Sequence, residues 1–148
     1  EVRMLQQLIA DTAIGLQQIC QQELPLLQQP ADWQTKYRLL MQLGKKLPAL
    51  PEKMRQPEYL VRGCESRAWL LHYQNPVTAQ HFWAFDSDAR IVKGLIILIL
   101  VQLNGLTAEQ LAKATPELLL TELQLQQNIS QSRSNGLLAV LNKIKAVI

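Results

Sequence analysis

The segment Ala89–Leu103 constrains this chain more than any other. It reads ARIVKGLIILILVQL, and its centre, Leu95–Val101, is apolar without a break. A helix that is apolar nearly all round has no face to give to water, so it must be the buried centre of a domain. It is too short for a bilayer, because Lys93 and Gly94 interrupt the run and a span needs about 20 apolar residues. The 148 residues are enough to wrap one such helix in a single core. Gly94 is then expected to allow close packing against a sheet, because a Gly facing solvent there would cost about 1 kcal/mol relative to Ala.

The flanking segments supply the wrapping. Leu5, Leu8, Ile9, Leu16 and Ile19 predict an amphipathic helix over Arg3–Gln22, with Pro25 and Pro30 bounding a linker. Asp32 caps a helix that begins at Trp33, carries Tyr37, Leu40, Leu43 and Leu47 as its stripe, and stops at Pro48. One turn is expected at Pro51–Arg55. Tyr59–Arg62, Arg67–Tyr73 and Gln80–Phe85 then hold aromatic and branched residues in short runs. They predict an antiparallel meander of about three strands. Asp86 or Ser87 is expected to cap the apolar helix. Thr107 with Gln110 has the form of a capping box, and Thr115-Pro116 opens another helix. A last helix is expected after Ser130–Gly136, with Leu137, Leu138, Leu141 and Ile144 at helical spacing. The whole reads as α+β: a small antiparallel sheet against several helices, with an N-terminal helix and linker over 1–29 and one domain over 30–148.

Composition removes several functions. Lys+Arg number 15 against 12 Asp+Glu, a net +3 that is small for a nucleic-acid binder. With 48% hydrophobic and 18% charged residues the chain is not disordered. Two Cys exclude a disulfide scaffold, and Cys20, Cys64, His72 and His81 show no metal-ligand spacing, so no metal site is expected. The N-terminal residues lack the pattern of a secretory signal, so a cytoplasmic, reducing location with free thiols is expected.

One stretch carries chemistry: Val61-Arg62-Gly63-Cys64-Glu65-Ser66-Arg67. Free Cys is among the most buried residue types, so a thiol in a turn is unusual. Gly63 gives the turn its backbone freedom and leaves room for another chain to approach. Arg62 and Arg67 favour the thiolate, which Glu65 opposes. Cys20, beside Ile19, reads as filler on the apolar stripe. His72 and His81, on adjacent predicted strands, read as structural side chains rather than bases. Arg133, between serines, is free to project and grip a carboxylate on a partner. Seven Lys+Arg against three acids over Asp32–Arg62 add a mildly basic face for an acidic partner.

Five pieces in order resemble the SufE/CsdE family of sulfur-acceptor proteins: Trp33–Tyr37, Leu43–Pro48, Val61–Trp69, Asp86–Gly94 and Ser132–Leu137. The resemblance runs from about Asp32 to the C-terminus. It implies an α+β fold like that of the iron–sulfur scaffold proteins. It also implies a role: accepting sulfur from a cysteine desulfurase, stimulating that enzyme, and passing sulfur to a downstream acceptor protein in iron–sulfur cluster assembly or another sulfur pathway. By the same resemblance Cys64 is the persulfide acceptor, and Arg133 lies in a partner-facing loop. Arg62, Gly63, Glu65 and Arg67 frame the contact. Pyridoxal phosphate belongs to the desulfurase, and this chain needs no cofactor, nucleic acid or membrane. Two other readings of the residues stay open: a thiol-dependent hydrolase or transferase using Cys64, and an adaptor in which the thiol is incidental. A persulfide exposed to small thiols is quickly lost, so Cys64 is expected to fold partly into an apolar pocket in the free protein.

Overall fold

A computed structural model describes residues 2–63 and 66–148. Seven helices and one hairpin are described: α1 (Val2–Gln18), α2 (Leu24–Gln28), α3 (Trp33–Leu43), β1 (Ala68–Gln74), β2 (His81–Ser87), α4 (Arg90–Leu103), α5 (Ala108–Lys113), α6 (Glu117–Glu122) and α7 (Gln131–Lys145). The expected central helix is α4. Its residues Leu95–Leu100 are all fully buried, and it packs against α1, α3, α6, α7 and β2. No helix among the described residues is long and apolar enough to cross a membrane.

Strands β1 and β2 pair antiparallel, with Ala68 opposite Ser87 and Gln74 opposite His81. Side chains alternate across a strand, so the hairpin has two apolar faces. Leu70, Trp83 and Phe85 join α4 in the main core. Trp69, Leu71 and Ala84 form a second cluster, covered by Leu8 and Ile9 of α1 and by Leu50 and Met54. The third expected strand is not one. Pro57–Tyr59 is a 3-10 turn, and Leu60 makes a single bridge to Trp69. Pro57 has no N–H for a ladder. The carbonyls of Glu58 and Leu60 accept instead from the Lys143 ammonium, at 3.4 and 3.1 Å.

The N-terminal helix also runs further than its sequence pattern predicts. After α1 the backbone widens into a π-helical turn at Ile19–Glu23 and resumes as α2, which contains Pro25. Leu24 N–H bonds back to Ile19. Pro25 then sits in the first turn of α2, where a missing N–H costs nothing. Leu16, Ile19 and Leu27 enter the main core. Cys20, expected on that stripe, is exposed instead: one residue on from buried Ile19, it is turned about 100° round the helix and off the apolar face.

The capping expectations divide. Asp32 accepts from Thr35 N–H at 2.9 Å, and Thr107 with Gln110 forms the capping box. Asp86 and Ser87 do not cap α4, whose N-cap is Ala89 with no side-chain cap. Asp86 is spent elsewhere. It is buried and accepts from Leu50 N–H (3.0 Å), Ser87 N–H (2.8 Å), Arg55 (3.2 Å) and Lys93 (3.1 Å). Burial alone pushes its carboxyl pKa up. The Leu50 amide and the Lys93 ammonium outweigh this and hold it below the ordinary value. The last helix starts six residues earlier than expected, because Ser130 accepts from Arg133 N–H and caps α7 at Gln131.

Candidate functional site

The segment between Val61 and Ala68 is closed by Val61 N–H bonding to Ala68 O at 2.8 Å. Its described residues show how it is held. On the descending side, Lys143 of α7 grips Glu58 and Leu60 as above. Burial and the Arg62 charge both push the Lys143 pKa down. Gly63 has φ +98°, a left-handed conformation that disfavours side chains, and an added Cβ would stand 3.3 Å from Ala139 Cβ. On the ascending side, Arg67 O accepts from Asp88 N–H (3.0 Å) and Ser87 Oγ (3.1 Å). The Arg67 guanidinium donates to Asp88 Oδ2 at 2.8 Å and lies over the Trp69 ring, 5.4 Å from its centroid. Cys64 and Glu65, and with them the expected pocket for the thiol, lie outside the described residues.

Beside this segment opens a cleft of about 690 Å³. Ser66 lines it from the segment ahead of β1, Ser87 from the end of β2, Arg90 from α4, Tyr37 from α3, and Ser132 and Arg133 from α7. Arg133 is not in a loop: it occupies the first turn of α7. Its guanidinium lies 5.6 Å from the Tyr37 ring centroid and donates to Tyr37 Oη at 3.4 Å. The fold thus brings Ser66 and Arg133 to one cleft, with Arg62, Gly63 and Arg67 on the adjoining segment. Tyr37, Asp88 and Lys143 were missed as site residues. Their sequence signals read equally well as a core stripe, a helix cap and a charge at a helix C-terminus.

Neither His can serve this segment as a base. His72 and His81 sit at the far end of the hairpin, and Ala68 to His72 alone spans roughly 13 Å of strand. They face each other instead, Nε2 of His72 to Nδ1 of His81 at 2.7 Å. Burial, and then the neighbouring His81, lower the His72 pKa from its ordinary value. The unfolded chain therefore takes up a proton that the folded chain resists. Stability is expected to be full above about pH 6.5 and to fall below it, by at most about 1.4 kcal/mol per pH unit for one proton. Urea unfolding at pH 7.5 and 5.5 checks this. His72→Gln should shrink the difference between the two midpoints, and an unchanged difference would place the titration elsewhere.

Among the described residues no three His, Cys, Asp or Glu converge to hold a metal. With this geometry in view, the likenesses are informative. A family model for SufE, the Fe–S metabolism associated domain, matches residues 21–148. Sulfur acceptor protein CsdE of Escherichia coli (strain K12) is 41% identical over 114 residues, which is 77% of each chain. An uncharacterized SufE-like protein of Rhizobium etli is 36% identical over 119 residues, 77% of this chain and 78% of its own. This chain belongs to the SufE family.

Proposed function

We propose that the chain is a sulfur acceptor whose reacting group is Cys64. Its donor is the persulfide of a pyridoxal-phosphate cysteine desulfurase, whose turnover it stimulates. The observation that carries this reading is the segment 62–67 of a SufE-family chain, anchored at both ends beside a cleft with Arg133. The Cys64 thiolate attacks the outer sulfur of the donor's R–S–SH. The donor's S–S bond breaks, the donor cysteine leaves as thiolate, and Cys64 becomes a persulfide that keeps the proton on its outer sulfur. No net oxidation or reduction occurs, and no metal is required. The persulfide then passes to a downstream acceptor protein, in iron–sulfur cluster assembly or another sulfur pathway. A reducing compartment such as the cytoplasm keeps the receiving thiol free. The chain acts as the partner and activator of an enzyme rather than as an enzyme. Hydrolysis by Cys64 has little support, because both His residues are remote from the segment.

Intact-mass analysis after mixing with a desulfurase and free cysteine tests the reading. One added sulfur atom, removed by dithiothreitol and mapped to Cys64, is the expected result. No added mass while the desulfurase turns over would refute it. Arg133 provides a second check. Arg133→Ala should weaken desulfurase binding by about 1.5–3 kcal/mol, the range for hydrogen bonds to charged groups. Its loss from the Tyr37 ring should cost only about 0.5–1 kcal/mol of stability. Binding by calorimetry and unfolding by circular dichroism separate the two.

A further inference from the structure

We propose that Trp33, Tyr37 and Met41 of α3, with Arg133 of α7, form the floor on which the sulfur donor docks, and that the docked segment is acidic with an apolar side chain. This rests on the sulfur-acceptor reading above. Lys36, Leu40 and Leu43 are the buried residues of α3. Trp33, Tyr37 and Met41, spaced four apart on one face, are only partly buried. The Trp33 and Tyr37 rings meet edge to face at 5.6 Å, and Tyr37 meets Arg133 in turn, so three large side chains hold one another in place. They line a shallow hollow of about 510 Å³ that also involves Gln34 and Arg38. Tyr37 and Met41 are shared with the larger cleft, so the two form one surface that continues to Ser66.

The charge on this surface selects the occupant. Arg90 and Arg133 line the cleft, and neither pairs with a carboxylate among the described residues. Asp88, the acidic residue of the described lining, is already engaged by Arg67. An acidic group on the donor therefore meets unneutralised guanidinium. Fixed Trp, Tyr and Arg side chains are the types that dominate binding energy at interfaces. Sulfur transfer adds a constraint, since the two sulfurs must come within about 3–3.5 Å, and this floor adjoins the Cys64 segment.

The test measures sulfur loading of the full chain by a cysteine desulfurase as a function of acceptor concentration. Trp33→Ala is expected to raise KM about tenfold and Arg90→Glu about fivefold, with kcat within twofold of the parent. Arg90 is exposed, so that variant keeps its fold even if Trp33→Ala does not. Leu118→Ser on α6 is expected to change neither constant. Glutathione persulfide, which needs no docking floor, should load parent and variants at equal rates. Unchanged KM in both variants, with the parent still loading, overturns the docking floor and leaves the sulfur-acceptor reading intact. Equal loss of loading from glutathione persulfide also overturns it, because the substitutions would then have damaged the thiol segment. So does a dimer of the parent that Trp33→Ala dissolves. A parent that takes no sulfur from the desulfurase overturns the sulfur-acceptor reading and the docking floor together.

Discussion

Cys64→Ser is expected to take up no sulfur from a desulfurase, while its unfolding temperature stays that of the parent. Sulfur exchange needs a thiolate, and a serine hydroxyl remains protonated at neutral pH and does not attack sulfur. The fold should not register the change, because contacts among the described residues anchor the segment at both ends. Val61 bonds to Ala68, Arg67 to Asp88, and Lys143 to Glu58 and Leu60. Cys20 is exposed and will also react with thiol reagents, so the added sulfur must be mapped by peptide analysis. Cys20→Ser should load like the parent. Sulfur that persists on the Cys64→Ser chain in amounts equal to the parent would remove Cys64 from the mechanism.

Gly94→Ala is expected to destabilise the fold severely, against the direction of helix propensity. Ala is favoured over Gly by about 1 kcal/mol within a helix, so without a packing constraint the variant would be more stable. The constraint is the backbone of α3. A Cβ on Gly94 would overlap the Leu40 carbonyl oxygen and stand 2.9 Å from the Leu40 carbonyl carbon. Neither atom belongs to a side chain that can swing aside. Helices α3 and α4 would have to separate, and Leu40 and Leu95–Leu100 are fully buried around that contact. Overpacking of this kind costs about 1–3 kcal/mol where side chains can yield, and more where backbone must move, so a loss of about 3 kcal/mol is expected. Urea unfolding measures it. A rise in midpoint would mean that the two helices are less closely apposed than the contact requires.

Gly94 also shows what the sequence could and could not reveal. An interior Gly in an apolar helix announces a close approach, but the pattern does not name the neighbour. A sheet was the expected one, and a helix backbone is the one present. The core was legible because Leu95–Val101 leaves a single possibility for its surroundings. The hairpin was legible too, since its aromatic residues alternate with period two. The third strand failed for a nonlocal reason: Tyr59 and Leu60 look extended, but their neighbourhood is decided by Lys143, more than eighty residues away. Pro25 misled because a wide turn ahead of it lets the helix restart, and that turn has no composition of its own. At the site, Cys64 and its flanking residues stood out by chemical type. The cleft did not, because Tyr37, the Ser87–Arg90 stretch and Arg133 come from three separated segments that only tertiary packing brings together.

Helix α7 has a mechanical consequence. Arg133, Gly136, Ala139 and Lys143 recur at three- and four-residue steps and lie along one side of it. Arg133 and Gly136 line the cleft, Ala139 abuts Gly63, and Lys143 fastens Glu58 and Leu60. A single rod about 15 Å long between its first and last such residues therefore joins the cleft to the anchorage of the thiol segment. The spacing between a grip on Arg133 and that anchorage is fixed by helical rise, as a ruler fixes two marks. A partner that seizes one end of the rod is registered against the segment that carries Cys64 without any loop having to find its length.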